Sequence, residues 1–101
     1  MIVVRIGNST DIGGGGMQVF DVAGTKITVA KADGSLYAFD DRCTHTGCSL
    51  SHGRLDGTTV TCPCHGSQFD ITTGAVLRGP ATRAIRSHHV EVEGEKLLVE
   101  T

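Results

Sequence analysis

The chain has 101 residues, a formal net charge of −2, and only three phenylalanines and one tyrosine as aromatic side chains. This length allows one domain with a modest apolar core, and such small domains are commonly reinforced by disulfides or a metal. The lack of a basic run excludes a surface that neutralises nucleic-acid phosphates. The opening apolar run, residues 1–4, is far shorter than the ~20 residues of a membrane-spanning helix. We therefore expect a soluble, cytoplasmic chain without a membrane anchor.

The first part of the chain has the pattern of short β-strands separated by turns. Strands are predicted over residues 2–6, 17–22, 26–31 and 36–40. Asp33-Gly34 predicts a hairpin between the last two. In the third strand Ile27 and Val29 point to one side and their neighbours to the other, which is the period of a half-buried strand.

From Arg42 to about Pro80 the composition shifts to Gly, Cys, Thr, Ser and His with little apolar periodicity. Within this region, short strands are predicted at residues 58–61 and 75–77. The strand pattern returns at Ala84 and ends with a strand over residues 96–100, and no segment has a helical pattern. The sequence thus predicts an all-β chain, with an antiparallel β sandwich or barrel as its base (residues 1–41 and 81–101) and a loop-rich subdomain over residues 42–80.

Two short stretches in that subdomain contain all four cysteines and two of the five histidines. Cys43 and His45 are spaced C-x-H, Cys62 and His65 are spaced C-x-x-H, and sixteen residues separate the two pairs. Two thiolates and two imidazoles suit either a tetrahedral zinc ion or a 2Fe-2S cluster whose irons have different ligands. The spacing alone leaves both possibilities open. Surface positions are predicted for the remaining histidines, His52, His88 and His89.

The two stretches resemble the pair of sequence boxes in Rieske iron-sulfur proteins. They are C-T-H-T-G-C from Cys43 and C-P-C-H-G-S-Q-F-D from Cys62. The resemblance extends to Ala38-Phe39-Asp40-Asp41, Thr73-Gly74 and Gly79-Pro80-Ala81. It implies a Rieske-like fold whose subdomain binds one 2Fe-2S cluster. The implied ligands are Cys43 and Cys62 on the inner iron and His45 and His65 on the outer iron, and Gly79 and Pro80 would lie in a third loop that covers the cluster.

The resemblance also assigns Cys48 and Cys64. In the disulfide-containing subclass of the family the matching cysteines join the two loops, so we expect a Cys48–Cys64 bridge. Two free thiols are the alternative. Because ring-hydroxylating dioxygenase ferredoxins usually lack this pair, its presence indicates similarity to respiratory members or to soluble ferredoxins that share it.

Three nearby positions bear on the reduction potential. Ser67 matches a serine that donates a hydrogen bond to a bridging sulfide, and such bonds tune the metal centre. Phe69 stands where the respiratory type has a tyrosine whose hydroxyl points to a ligand cysteine. Thr46 stands where quinol-oxidising members have a leucine. Both departures disfavour quinol oxidation, and we expect a potential between those of quinol-oxidising relatives and bridge-free ferredoxins.

The resemblance implies an electron carrier rather than an enzyme. The expected function is transfer of one electron from a flavin-dependent reductase to an oxygenase or another terminal acceptor, with these redox proteins as partners. The alternative is a Rieske subunit, or a soluble fragment, of a larger oxidoreductase such as a quinol-oxidising cytochrome bc complex or a molybdenum oxidase. A zinc-stabilised binding module is a third possibility.

Overall fold

The computed structural model describes residues 3–45 and 47–100. Within this part of the chain the backbone forms ten strands and two single turns of 3₁₀ helix, Ser9–Asp11 and Leu50–His52. The strands are β1 (Val3–Asn8), β2 (Met17–Val22), β3 (Thr25–Ala32), β4 (Ser35–Asp40), β5 (Arg54–Asp56), β6 (Thr59–Thr61), β7 (Gln68–Asp70), β8 (Val76–Arg78), β9 (Ser87–Glu93) and β10 (Lys96–Glu100). The predicted all-β class is confirmed. No helix in the described ranges is long and apolar enough to cross a bilayer.

Six strands form one antiparallel sheet in the order β1-β10-β9-β4-β3-β2. Its edge strands β1 and β2 contact each other, so the sheet nearly closes into a barrel. The register between β1 and β10 shifts between Arg5 and Gly7, and a shift of this kind increases the local twist that closure requires. Strand β4 leaves this sheet at Asp40 and runs directly into the first cysteine-histidine stretch.

Strands β5 to β8 form a second antiparallel sheet, ordered as in the sequence. Strand β6 ends one residue before Cys62, and β7 begins one residue after Ser67, so this sheet positions the second stretch. The row of paired residues beside that stretch comprises Arg54, Thr61, Gln68 and Arg78. The row at the opposite end of the strands comprises Asp56, Thr59 and Asp70.

The apolar interior consists of two clusters. One lies inside the large sheet and includes Ile27, Val29, Leu97 and Val99. The other joins the two sheets and includes Ala30, Phe39, Val60, Phe69, Cys43 and Cys62. Because the second cluster contains the first cysteine of each stretch, packing between the sheets brings these two thiols into the interior.

The centre of β3 differs from the half-buried strand that the sequence predicts. The side chains alternate as expected, but Ile27, Thr28, Val29 and Ala30 are all fully buried. Residues that follow β4 cover the face of β3 that was predicted to be exposed to solvent. On this face the Thr28 hydroxyl donates a hydrogen bond to the buried carboxylate of Asp41. The period of two identifies the strand but carries no information on what covers its second face.

The predicted strands over residues 17–22 and 96–100 match β2 and β10. Strand β1 continues to Asn8, two residues beyond the predicted strand, and β9 begins at Ser87 rather than at Ala84. Strands β5 and β7 and the two 3₁₀ turns are absent from the predicted elements. Both strands end in aspartate, which is depleted in strands, whereas the equally short β6 and β8 contain valine.

The prediction that His88 lies on the surface is wrong. Its side chain is only 4% exposed, and its Nε2 lies 2.6 Å from Oδ1 of Asp40. His89 and His52 are exposed, as predicted. Adjacent strand residues point to opposite faces, so one member of the His88-His89 pair on β9 must point inward.

Gly74 provides a test of the packing between the two sheets. Its φ is +86°, and a Cβ at this position would collide with the carbonyl oxygen of Ile85. Gly57 also has a positive φ, +59°, but a Cβ there would meet nothing. We expect Gly57→Ala to destabilise the protein by about 1–2 kcal/mol through backbone strain alone. Gly74→Ala should cost about 3–5 kcal/mol because the collision adds to the strain. Thermal unfolding of both variants measures the difference, and equal midpoints would contradict this account.

Candidate metal centre

The two cysteine-histidine stretches fold into loops with the same backbone hydrogen bonds. The first loop is residues 43–48 and the second loop is residues 62–67. In the first loop the amide of Cys43 donates to the carbonyl of Cys48 at 2.9 Å. In the second loop the amide of Cys62 donates to the carbonyl of Ser67 at 2.8 Å. Each loop therefore begins with a cysteine whose amide is bonded to the residue five positions later.

A glycine closes each loop in the same way. The amide of Gly47 donates to the carbonyl of Cys43 at 2.8 Å, and the amide of Gly66 donates to the carbonyl of Cys62 at 3.2 Å. Both glycines have a φ of +79°, a conformation that glycine adopts without the steric cost of a side chain. The fifth residue of both loops is thus constrained to be glycine, and the loops are two copies of one turn.

The thiols of the two loops lie inside the protein and the imidazoles lie outside. Cys43 and Cys62 are free cysteines, each only 2% exposed. His45 and His65 are exposed, and their rings meet edge to face with centroids 5.1 Å apart. Burial, together with the neighbouring Cys43 thiol, raises the pKa of the Cys62 thiol. Buried thiolates at this site would need a cationic partner, which a metal ion or cluster held by the two loops would supply.

A disulfide between Cys48 and Cys64 joins the two loops, with Cα atoms 6.5 Å apart. The sulfur of Cys62 lies within 4.8 Å of both bridged sulfurs. The predicted bridge is confirmed, and the alternative of two free thiols at these positions is wrong. The covalent link therefore lies directly beside one of the two buried thiols.

A third segment, around Ala81, is bonded to both loops. The amide of Ala81 donates to Oγ of Ser67 at 3.0 Å, and Oγ1 of Thr44 donates to the carbonyl of Arg83 at 2.7 Å. Ser67 is fully buried. Because its oxygen accepts from Ala81, its own hydroxyl hydrogen remains to be donated elsewhere. Gly79-Pro80, predicted to cover the cluster, is exposed and leads directly into this segment.

Asp41 fixes the first loop to the large sheet. Its Oδ1 accepts hydrogen bonds from Oγ1 of Thr28 and from the amide of Ser51, both at 2.7 Å. Its carbonyl accepts from the amide of Leu50, also at 2.7 Å. Burial alone would raise the pKa of Asp41, but these hydrogen bonds outweigh burial and hold the pKa below its ordinary value. A charged carboxylate whose Oδ1 accepts two hydrogen bonds therefore anchors the chain two residues before Cys43.

A protein-family model, the Rieske [2Fe-2S] domain, matches residues 2–97. The chain belongs to this family. The match spans both loops and the third segment, so the predicted family and its single 2Fe-2S cluster are confirmed. The paired buried thiols, the exposed imidazoles and the spare Ser67 hydrogen fit such a cluster.

Similar proteins are ferredoxins of dioxygenase systems. The ferredoxin component of the naphthalene 1,2-dioxygenase system of Pseudomonas aeruginosa is 34% identical over 79 residues, which cover 78% of this chain and 76% of the relative. The ferredoxin of carbazole 1,9a-dioxygenase from Nocardioides aromaticivorans IC177 matches with a TM-score of 0.92 and 30% identity, covering 98% of this chain and 97% of that chain. A chain in the complex of reduced oxygenase and oxidized ferredoxin in carbazole 1,9a-dioxygenase matches with a TM-score of 0.91 and 31% identity, covering 97% and 92%.

These similarities agree with the predicted electron carrier, because ferredoxins transfer electrons and do not transform substrates themselves. They also place this Rieske domain beside the dioxygenase ferredoxins, the group that the resemblance described as usually lacking the bridge. The Cys48–Cys64 disulfide is therefore compatible with a ferredoxin of this kind and does not by itself indicate a respiratory protein.

The other predicted neighbours of the cluster have different outcomes. Phe69 is fully buried and belongs to the apolar cluster that contains Cys43 and Cys62. Thr46 lies outside the described residues.

Two contacts that position the loops were not predicted from the sequence. The Asp41–Thr28 contact has a signal in the sequence, an acidic residue at the end of a buried strand, because a buried carboxylate needs hydrogen-bond partners. The contact from Thr44 to the Arg83 carbonyl has no such signal, because the acceptor belongs to the backbone.

The disulfide predicts the number of reactive thiols. After removal of the cluster and denaturation, two thiols should react per chain, those of Cys43 and Cys62. Prior reduction should raise the number to four. A Cys48→Ser/Cys64→Ser variant serves as the control and should give two thiols in both conditions. Four reactive thiols before reduction would show that the bridge is absent from the protein in solution.

Proposed function

We propose that Cys43 and Cys62 ligate the inner iron of the Rieske cluster and that His45 and His65 ligate the outer iron. The arrangement of the loops supports this set, because each loop supplies one buried thiol and one exposed imidazole. Cys48 and Cys64 are excluded as thiolate ligands by their mutual bond. The hydroxyl hydrogen of Ser67 is proposed to go to a cluster sulfide.

Mixed ligation determines the chemistry that the cluster supplies when bound. Two ferric ions, two sulfides and two thiolates sum to zero charge, whereas four thiolates would leave a dianion. An electron is added more easily to a neutral centre, and Rieske centres as a class have potentials of about −150 to +300 mV. The exposed imidazoles would then provide a short path for electrons between the outer iron and a partner. The buried cysteine ligands would place the other side of the cluster away from solvent.

The function that this geometry supports best is that of a soluble, cytoplasmic one-electron carrier between a flavin-dependent reductase and an oxygenase. The exposed pair of histidine rings is the observation that carries the proposal, because a carrier needs its redox group within reach of two partners in turn. Relatives named as ferredoxin components of dioxygenase systems, and a solved complex of ferredoxin with oxygenase, support the choice of partners.

The proposal also includes the division of the chain. A single Rieske domain would have its base in residues 1–41 and 81–101 and its cluster-binding subdomain in residues 42–80. The sheets support this division, since the large sheet uses strands from residues 3–40 and 87–100 and the small sheet uses residues 54–78.

Metal analysis and spectroscopy test the ligand set and the cluster together. The purified protein should contain about two irons and two acid-labile sulfides per chain. After reduction with dithionite it should give the electron paramagnetic resonance signal of a mixed-valence Rieske centre. His45→Ala and His65→Ala should each lose this signal, whereas His52→Ala, which changes an exposed histidine outside both loops, should keep it. A colourless protein with one zinc ion, or an unchanged signal in the loop variants, would contradict the proposal.

Restoring a hydroxyl beside the cluster should raise the potential. Phe69 is buried in the apolar cluster that contains both free thiols, so the hydroxyl of a Phe69→Tyr variant has a sulfur acceptor within its surroundings. A net hydrogen bond of about 0.5–1.5 kcal/mol corresponds to a rise of about 20–60 mV for one electron. Phe20→Tyr makes the same change beside the other apolar cluster and should leave the potential unaltered. Protein-film voltammetry measures both variants, and a fall or no change in Phe69→Tyr would refute this assignment.

A further inference from the structure

The charges of the chain are divided unequally between its two parts. Residues 41–86, which lie between β4 and β9, contain five arginines and three aspartates, a formal charge of +2. The remaining residues contain four basic and eight acidic side chains, a formal charge of −4. The net charge of −2 therefore hides a molecule that is basic in one region and acidic in the other.

The register of the small sheet sorts these charges further. Its row beside the second loop contains Arg54 and Arg78, one at each edge strand. Its row at the opposite end contains Asp56 and Asp70. The arginines of this sheet thus lie at the end nearest the proposed ligands, and the aspartates lie at the end farthest from them.

Two further arginines lie on the neighbouring segments. The guanidinium of Arg42 packs against Gly47 of the first loop, with Nε 3.0 Å from the position of a Cβ there. The carbonyl of Arg83 is bonded to Thr44 of the same loop. We call Arg42, Arg54, Arg78 and Arg83 the basic rim.

No carboxylate neutralises the basic rim within residues 3–45 and 47–100. All four arginines are exposed, and the ion pairs in this part of the chain join histidines to Asp40 and Glu91. Asp40 and Asp41, the two acidic residues that precede Arg42, are engaged with His88 and with Thr28 and Ser51. The rim charges are therefore exposed to solvent, on segments that adjoin the two loops with the exposed histidines.

We propose that the basic rim is the docking surface of this ferredoxin and that it selects redox proteins whose electron-entry site is bordered by Asp and Glu. The inference rests on the proposed function and adds the chemistry of the partner. Leu77, 55% exposed beside Arg78, supplies an apolar contact within the charged surface, and docking patches commonly combine the two. The net charge alone would predict the opposite, a preference for basic partners.

The distance over which charges act in salt determines whether a partner responds to the net charge of the chain or to the basic rim. Charges farther apart than about 10 Å are largely screened at 0.1 M salt, so a partner at the histidine side interacts mainly with the rim. The oxidised cluster adds no charge to the formal −2 of the chain, and one electron makes the reduced protein −3. Reduction thus adds one negative charge at the cluster, while the basic rim carries four positive charges. The electrostatic field at the histidine side therefore stays positive.

Electron transfer to small charged oxidants tests the sign of this field. The dithionite-reduced protein, freed of excess reductant, would give one electron per chain to ferricyanide, a trianion, or to tris(phenanthroline)cobalt(III), a trication. Stopped-flow rates measured from about 10 to about 300 mM ionic strength should fall with salt for ferricyanide and rise for the cobalt complex. Plastocyanin, an acidic copper protein, should behave like ferricyanide. If the net charge governs docking, all three dependences reverse.

Two double variants test whether the salt dependence of the electron-transfer rate comes from the basic rim. Arg78→Gln/Arg83→Gln should slow the reaction with ferricyanide about three- to thirtyfold at low salt and converge with the wild type at high salt. Lys31→Gln/Lys96→Gln removes the same charge at the ends of β3 and β10 away from the loops, and its rates should stay within about twofold of the wild type.

Equal effects of the two double variants, or a ferricyanide or plastocyanin rate that rises with salt, would overturn the inference. The electron paramagnetic resonance signal of each reduced variant establishes that the cluster is intact. Wild-type protein with the signal and the wrong salt dependence refutes the basic rim alone, whereas wild-type protein without the signal refutes the proposed function as well.

Discussion

Two buried thiols that meet across matched loops are the feature on which the rest of the structure depends. Cys43 and Cys62 lie in the apolar cluster that joins the two sheets, where a pair of thiolates without a cation would be strongly unfavourable. A metal centre bound by both cysteines would offset this cost and at the same time link two loops from different parts of the chain. In a chain of 101 residues, whose sheets share only a modest core, the redox group would therefore also be a structural element.

The large sheet holds this arrangement in place without taking part in its chemistry. The carboxylate of Asp41 connects β3, through Thr28, to the segment after the first loop, through Ser51. The third segment connects the loops to each other through Ser67 and Thr44. Loops that supply ligands must keep their geometry in both oxidation states, and bonds from buried polar groups to rigid strands achieve this.

Whether a feature could be predicted from the sequence depends on how far apart along the chain the interacting residues lie. The Cys48–Cys64 bridge was predictable because it belongs to two short motifs, which also carry the proposed ligands, and β2 and β10 were predictable because their apolar period is long enough to detect. The burial of both faces of β3 and of His88 was not, since it depends on what packs against a strand from elsewhere in the chain. The strands β5 and β7 were also missed, because pairing with neighbours rather than local pattern makes three residues extended.

The residues that hold the two loops in shape are tightly constrained by the fold, whereas the arginines proposed to contact partners are not. The loops are constrained at every level: Gly47 and Gly66 need positive φ, and Ser67 is bonded and buried. The side chains of Arg78 and Arg83 are exposed and make no ion pair in the described part of the chain, so they can be replaced at little cost to the fold. Partner choice can therefore change through the rim while the loops, and with them the cluster, remain as they are. A ferredoxin with a negative net charge and a positive docking surface is a natural result of this independence, because solubility depends on the whole surface and docking on one end of it.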